Sequence, residues 1–225
     1  MKNKSVLLLF FLLIFSSFKA DKSTITVFMI GDSTMANKDI SGGNPERGWG
    51  MVLPGFFTED VQVKNYARNG RSSKSFISEG LWNEVISQVK KGDYVFIQFG
   101  HNDEKSDTIR HTDPGTTFDA NLRRFVLETR AKGGIPVLFN SIVRRRFTPL
   151  VSFTSANLDK RDISDKGVKT IERDTLYDTH GAYLLSPLHV ARELNVVFID
   201  MNRITHDLVQ GMGPEKSKEL YMWVK

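Results

Sequence analysis

A glycine, an acid and two hydroxyl side chains follow the first apolar run after the N-terminal region, in the order Gly31-Asp32-Ser33-Thr34. The run itself, Ile25 to Ile30, is β-branched and aromatic without a charge, which predicts a buried strand. Ser33 therefore lies just past a strand end, where ligands bind in open α/β sheets, and it is a candidate nucleophile. The alternative is that these side chains only cap the following helix, and this stretch alone does not decide between the two interpretations.

Two further predicted strands also end in groups that suit acyl chemistry. Val61 to Tyr66 is followed by Gly70 within Asn69-Gly70-Arg71-Ser72, and Tyr94 to Phe99 is followed by Gly100-His101-Asn102-Asp103. Gly70 has no Cβ, so its backbone N–H can approach a ligand closely, and Asn102 is a neutral donor. A serine, such an N–H and an amide are the parts needed to attack a carbonyl and to hold the oxyanion that develops.

Strands and helices alternate along the chain, which predicts a parallel sheet with helices on both faces. The remaining predicted strands are Ile135 to Phe139 and Val196 to Ile199, and helices are expected around residues 78–90, 118–132, 182–194 and 204–209. Right-handed crossovers place all strand ends at one edge, so Ser33, Gly70 and Asn102 can converge. Residues 147–177 are polar and weakly patterned, which indicates a surface insertion.

These three blocks resemble, in order and at plausible spacings, the first three sequence blocks of the SGNH (GDSL-type) hydrolases. The Asn-Gly-Arg-Ser and Gly-His-Asn-Asp forms are most similar to the rhamnogalacturonan acetylesterase branch. The resemblance implies a three-layer α/β/α sandwich with a flavodoxin-like parallel sheet of about five strands. It also implies Ser33 as the nucleophile, the backbone N–H groups of Ser33 and Gly70 with the Asn102 side chain as the oxyanion hole, and neither metal nor cofactor.

The sequence departs from the family in the group that would activate the serine. The family carries this base as the histidine of an Asp-x-x-His pair after the last strand, and no such pair follows Asp200. The chain is therefore expected either to be truncated or to have lost the pair. Asp178-Thr179-His180 imitates the motif with one residue fewer, but a helix and a strand follow it, so we interpret it as a surface turn. We interpret His101 as a buried or structural histidine, because adjacent residues leaving a strand point in opposite directions.

Two other features have both a binding and a structural interpretation. Trp49 would either stack on a sugar ring or pack as a core aromatic in a short helix, and the second interpretation is favoured. Arg144-Arg145-Arg146 follows the fourth strand and would either bind galacturonate carboxylates or form a solvated basic loop.

The N-terminus has the layout of a secretory signal peptide. Lys2 and Lys4 precede an apolar run from Val6 to Phe15, and Ala20 is a candidate small residue for cleavage. The run is too short to span a bilayer comfortably, although an uncleaved anchor is the alternative. We expect a signal peptide over residues 1–20, an SGNH hydrolase-like domain over residues 21–225, and a secreted or periplasmic protein without stable membrane insertion.

Charge and cysteine content exclude several classes of protein. The predicted signal peptide contains three lysines and no acid, so its removal lowers the formal net charge from +5 to +2. A nucleic-acid partner then has little support from composition. The sequence contains no cysteine, which excludes disulfides, thiolate catalysis and cysteine-ligated metals.

Together these features predict a secreted serine carbohydrate esterase that deacetylates a pectic, rhamnogalacturonan-type cell-wall polysaccharide through an acyl-enzyme on Ser33. The expected partner is an acetylated polysaccharide or oligosaccharide. The alternative is a non-catalytic carbohydrate-binding protein or an inactive fragment on the same scaffold. A phosphate- or nucleotide-binding domain is disfavoured, because neither Gly-x-Gly-x-x-Gly nor a Gly-Lys-Ser/Thr phosphate loop occurs.

Overall fold

Five parallel strands form one sheet in the computed structural model, which describes residues 24–148 and 175–221. The strands in chain order are β1 (Ile25–Gly31), β2 (Val61–Asn65), β3 (Tyr94–Gln98), β4 (Ile135–Phe139), β5 (Phe147–Thr148), β6 (Thr175–Leu176) and β7 (Val197–Ile199). The parallel sheet has the order β2-β1-β3-β4-β7, which is the flavodoxin-like order. The predicted fold class is confirmed, and each of the five predicted strands is found within one residue of its expected bounds.

Six α-helices surround the sheet within the described ranges. They are α1 (Trp49–Val52), α2 (Ser73–Ser78), α3 (Leu81–Ile86), α4 (Thr117–Ala131), α5 (Leu185–Leu194) and α6 (Met201–Lys216). The helix predicted over residues 78–90 is wrong at both ends. It begins only after Gly80, whose left-handed φ of 78° separates α2 from α3, and it ends at Ile86.

The two faces of the sheet pack against different helices, as the two-residue repeat of a strand requires. Phe28 and Ile30 of β1 join a core formed with residues of α2 to α5, such as Phe76 and Phe125. The alternate residues Val27 and Met29 pack on the other face, next to α1. The sheet is therefore the middle of three layers.

The register of the sheet aligns the carboxyl ends of its strands. Gly31 of β1 pairs with Gln98 of β3, Gln98 pairs with Phe139 of β4, and Phe139 pairs with Ile199 of β7. The loops that follow these strands consequently begin side by side along one edge. The candidate site is predicted at this edge.

A second, two-stranded antiparallel sheet was not predicted. In it, Phe147 of β5 pairs with Leu176 of β6. The rest of the predicted insertion, residues 149–174, lies outside the described residues, as does the predicted signal peptide. Within residues 24–148 and 175–221, none of the helices is both long and apolar enough to cross a membrane.

Candidate active site

Ser33 lies in a tight turn directly after β1. Asp32 shapes the turn, because its Oδ1 accepts hydrogen bonds from the Thr34 N–H at 2.9 Å and from Thr34 Oγ1 at 2.8 Å. Gly31 is required at the strand end, since a Cβ there would lie 2.6 Å from the Gln98 carbonyl oxygen. Asp32 is fully buried and Ser33 is half-buried. Asp32 and Thr34 thus form these hydrogen bonds of the turn, and the Ser33 hydroxyl takes no part in them.

Gln98, at the end of β3, hydrogen-bonds to three neighbouring segments, the first of which is the Ser33 turn, where Thr34 Oγ1 donates to Gln98 Oε1 at 3.3 Å. Its Oε1 accepts a hydrogen bond from Trp49 Nε1 at 2.8 Å, and its Nε2 donates to the Asn140 carbonyl at 3.2 Å. The Trp49 ring packs against Phe139 with 5.7 Å between ring centroids. Trp49 is half-buried and packs on the core from α1, as favoured from the sequence.

The loops after β2 and β3 meet beside the Ser33 turn. The Arg68 N–H donates to the Gly31 carbonyl at 3.0 Å, which holds the β2 loop against the end of β1. Asn102 Nδ2 donates to the Arg71 carbonyl at 3.1 Å, which joins the β3 loop to the β2 loop. An amide group carries two N–H bonds, so one bond to Arg71 leaves a second donor on Asn102.

Gly70 lies in the left-handed region, with φ of 76°, which explains the glycine at this position. Its preceding residue is fixed by Lys38, whose Nζ donates to Asn69 Oδ1 at 2.7 Å and pairs with Glu46 Oε1 at the same distance. The Lys38 side chain is only 2% exposed. The sequence carried no signal for this anchor, because Lys38 and Glu46 lie in a loop without periodicity.

Asp103 is a fully buried carboxyl directly after Asn102. It accepts hydrogen bonds from Ser73 Oγ at 2.5 Å and from Thr112 Oγ1 at 2.9 Å, together with the Ser73 N–H at the start of α2. Burial raises the pKa of Asp103 to about 6, against the effect of these hydrogen bonds, and the nearby Asp32 charge adds to the increase. Burial likewise raises the pKa of Asp32, which the hydrogen bonds from Thr34 and the charges of His180 and Arg144 oppose.

Asp178 and His180 form a hydrogen-bonded pair, with 3.0 Å between His180 Nδ1 and Asp178 Oδ1. The interpretation of this segment as a surface turn is wrong, because His180 is only 2% exposed. The other ring nitrogen, Nε2, lies 2.8 Å from Nδ1 of His101. The pair therefore has the contacts of a catalytic acid and base but is directed at a second histidine rather than at Ser33. His101 is itself buried, as expected.

The arginines after β4 do not form a solvated basic loop, and two of them are engaged inside the protein. Arg144 pairs with Glu104 and donates to Thr179 Oγ1 at 2.8 Å. Arg145 donates from Nε to Ser217 Oγ at 3.0 Å. Arg144 and Arg145 thus have protein partners, and the binding of galacturonate carboxylates by this run stays a prediction.

Two asparagines that were not predicted as site residues connect the site to α6. Asn202 donates from Nδ2 to Asp178 Oδ2 at 2.6 Å and from its backbone N–H to Asn140 Oδ1 at 2.8 Å. Asn140 in turn donates to Asp200 Oδ1 at 2.8 Å. The detectable signal was their position, since Asn140 directly follows β4 and Asn202 lies two residues after Asp200, at the end of β7.

The structure thus brings the three predicted site residues, Ser33, Gly70 and Asn102, onto adjoining loops at one edge of the sheet. In the part of the chain that the structure describes, His, Asp and Glu side chains do not form a group of three able to hold a metal ion. That the protein needs neither metal nor cofactor remains a prediction.

Solved structures share this three-layer α/β/α fold with a parallel sheet. The Bacillus subtilis protein YxiM superposes with a TM-score of 0.66 at 26% identity, over 88% of this chain and 49% of that one. An acetyl xylan esterase of Geobacillus stearothermophilus, Axe2, gives a TM-score of 0.55 at 19% identity over 84% of this chain and 81% of that one, which is a likeness of fold alone.

Sequence relatives identify the family. Residues 29–220 match the model of the GDSL-like lipase/acylhydrolase family, and the chain belongs to it. The rhamnogalacturonan acetylesterase RhgT of Bacillus subtilis is 36% identical over 90% of this chain and 75% of its own length. A probable rhamnogalacturonan acetylesterase of the same organism, YesY, is 34% identical over 52% of this chain and 54% of its own length. By family, the chain is an ester hydrolase.

Proposed function

We propose that the protein is a carbohydrate acetylesterase that removes acetyl groups from a pectic polysaccharide of the rhamnogalacturonan type. The observation that carries this proposal is the convergence of a strand-end serine, a glycine loop and a side-chain amide. The substrate class is supported by the two Bacillus subtilis relatives that are 36% and 34% identical, which are named as a rhamnogalacturonan acetylesterase and a probable one. The resemblance noted in the Asn-Gly-Arg-Ser and Gly-His-Asn-Asp blocks points the same way.

The chemistry follows from the roles of three groups. Ser33 Oγ attacks the acetyl carbonyl and loses its proton, and the negative charge that develops on the carbonyl oxygen is held by the Asn102 amide and by the backbone N–H groups of Ser33 and Gly70. The bond to the sugar oxygen then breaks, and the sugar leaves as an alcohol with the proton that Ser33 lost. Water attacks the acetyl-enzyme, one of its protons returns to Ser33 Oγ, and acetate and the other proton are released.

The decisive experiment compares Ser33→Ala with the parent protein on p-nitrophenyl acetate. Ser41→Ala serves as the matched control, because Ser41 is an exposed serine in the same part of the chain. We expect turnover to be lost in the first variant and kept in the second. Equal rates for the parent and Ser33→Ala, in folded samples, would contradict the proposal and favour a carbohydrate-binding protein.

The contribution of the oxyanion donor is tested separately with Asn102→Ala. Removing one such donor in acyl-transfer enzymes costs about 10²- to 10³-fold in kcat. We expect a loss of that size with little change in KM. A loss confined to KM would place Asn102 in substrate binding and not at the oxyanion.

The substrate class is tested by acetate release from polymers. We expect acetylated rhamnogalacturonan to be deacetylated faster than acetylated xylan, which is the substrate in the name of the structural neighbour Axe2. The reverse order would contradict the pectic assignment while leaving the esterase assignment in place.

We also propose that the protein is exported after cleavage near Ala20. The support is the charged and then apolar layout of residues 1–20. N-terminal sequencing of the protein recovered from culture medium or periplasm is expected to start near Asp21, and an intact Met1 in the cytoplasmic fraction would contradict export.

A further inference from the structure

The half-buried Asp178 and the buried His180 and His101 form a continuous chain of hydrogen bonds. The Asp178 carboxylate lies 3.0 and 3.1 Å from His180 Nδ1, and the two imidazole rings meet through a 2.8 Å contact between His180 Nε2 and His101 Nδ1. The rings are edge-on to each other, with 65° between their planes. We refer to these three side chains as the buried relay.

The partners of Asp178 determine where the ring protons lie. Burial would raise the pKa of Asp178, but hydrogen bonds from His180 and Asn202 outweigh it, so the net pKa is lowered and the group is a carboxylate at neutral pH. A carboxylate only accepts, so His180 Nδ1 carries a hydrogen. Nε2 of a neutral His180 ring is then an acceptor, and His101 must donate to it from Nδ1.

Arg144 fixes the two halves of the relay relative to each other. Its guanidinium donates to the carbonyl of His101 at 3.3 Å and to Thr179 Oγ1, next to His180, at 2.8 Å. The same guanidinium pairs with Glu104. Arg144 thus holds the two rings in contact by binding the backbone of His101 and the side chain of Thr179, the residue before His180.

The buried relay adjoins both halves of the candidate site. His101 directly precedes Asn102, whose amide bonds to the loop of Gly70. Asp178 accepts a hydrogen bond from Asn202, whose backbone N–H donates to Asn140 Oδ1. The Asn140 carbonyl accepts from Gln98, and Gln98 Oε1 accepts from Thr34 Oγ1 in the turn of Ser33. The buried relay is therefore connected to the oxyanion loop through the backbone and to the Ser33 turn through hydrogen bonds.

We propose that the buried relay is a positioning device for the esterase site, in which Asp178 enforces Nδ1–H on both rings and the His101–His180 bond holds the Asn102 loop in register with the Ser33 turn. This inference rests on the proposed function, because it assigns His101, His180 and Asp178 to the support of Ser33 and Asn102. None of the three needs to touch the substrate.

The arrangement of ring protons is measurable without substrate. In ¹⁵N-detected histidine spectra of the whole protein at neutral pH, we expect His180 and His101 both to be protonated at Nδ1 and unprotonated at Nε2. The signals are assigned by their loss in His180→Gln and in His101→Asn. A neutral His180 ring protonated at Nε2 in the parent protein would overturn the proposal.

The positioning role is tested by a pair of substitutions at residue 101. The amide nitrogen of His101→Asn takes the place of Nδ1 and keeps a donor to His180, whereas His101→Leu removes the donor. We expect the asparagine variant to retain most of kcat and the leucine variant to lose about 10- to 100-fold, the size expected for a slightly misplaced catalytic group, with KM unchanged. Equal losses in both variants would overturn a positioning role and indicate that His101 itself handles the proton.

Asp178→Asn supplies the second activity test, with Asp207→Asn, an exposed aspartate of α6, as the matched control. We expect the first variant to lower kcat by about tenfold or more and to introduce Nε2–H signal for His180, because a neutral amide no longer holds Nδ1–H with a charge. An unchanged kcat together with a changed ring proton would overturn the link to the site. If the parent protein shows no Ser33-dependent turnover, the proposed function fails, and with it the positioning role, whereas the proton arrangement is still decided by the spectra.

Discussion

Replacement of Asp103 by asparagine is expected to change the free energy of unfolding by an amount that depends on pH. The direction of this dependence follows from the burial of Asp103. Asp103 links the start of α2 to the loop after β3 and to Thr112. Its pKa in the folded protein is about 6, against 3.8 for the unperturbed group. Between these two values the unfolded chain has released the proton that the folded protein still holds. The folded protein therefore loses stability as the pH rises through this window.

The size of the effect follows from the shift. A pKa difference of about two pH units corresponds to about 3 kcal/mol in the free energy of unfolding, at 1.36 kcal/mol per unit. This contribution is present in full below about pH 4 and is lost by about pH 6 to 7. The asparagine side chain does not titrate, so the free energy of unfolding of this variant lacks the pH-dependent contribution.

Urea unfolding at intervals from pH 4 to pH 7 measures this difference directly. We expect the free energy of unfolding of Asp103→Asn to improve relative to the parent by up to about 3 kcal/mol across the range. Asp207→Asn, at an exposed position, is the control and should show a nearly constant difference. The reasoning would be refuted if the difference between Asp103→Asn and the parent stayed constant or moved the other way. Either result would mean that Asp103 is a carboxylate in the folded protein over this whole pH range.

Three further substitutions test how the site is built. Lys38→Met releases Asn69 and is expected to lower kcat on p-nitrophenyl acetate by about tenfold with KM unchanged, and unaltered kinetics would show that Lys38 does not anchor the Gly70 loop. Gly100→Ala strains a backbone with φ of 143° and brings a Cβ within 2.4 Å of Ser141 Oγ, so we expect a loss of about 1 to 3 kcal/mol in urea unfolding, whereas an unchanged midpoint would contradict that strain. Arg144→Lys is expected to change kcat/KM by the same factor on p-nitrophenyl acetate and on acetylated pectin, whereas a larger change on the charged polymer would show that Arg144 binds carboxylates.

The parallel sheet was predictable because its strands are short apolar runs that stop at glycines and polar residues. A buried strand has little freedom in its composition, and right-handed crossovers then fix which edge collects the strand ends. Ser33, Gly70 and Asn102 could be placed together on that basis alone. The break between α2 and α3 was missed, because an isolated glycine such as Gly80 is tolerated within many helical patterns.

The supports of the site were not predictable, since they are contacts between residues far apart in sequence. His180 meets His101 across 79 positions, and Asn202 meets Asn140 across 62. Local patterns do not encode such pairs. Arg144 shows the same limit, because three consecutive arginines are typical of an exposed loop. Only the fold shows that Arg144 forms an ion pair with Glu104 and a hydrogen bond with Thr179.

The central claim, that Ser33 is the nucleophile of an esterase, is tested most directly by covalent labelling. The protein is treated with a fluorophosphonate, which reacts with activated serines, and the modified peptide is identified by mass spectrometry. We predict a single label on Ser33, a loss of hydrolysis in proportion to labelling, and no label in Ser33→Ala. Full hydrolysis without a label on Ser33, or a label on another residue that abolishes hydrolysis, would contradict the account.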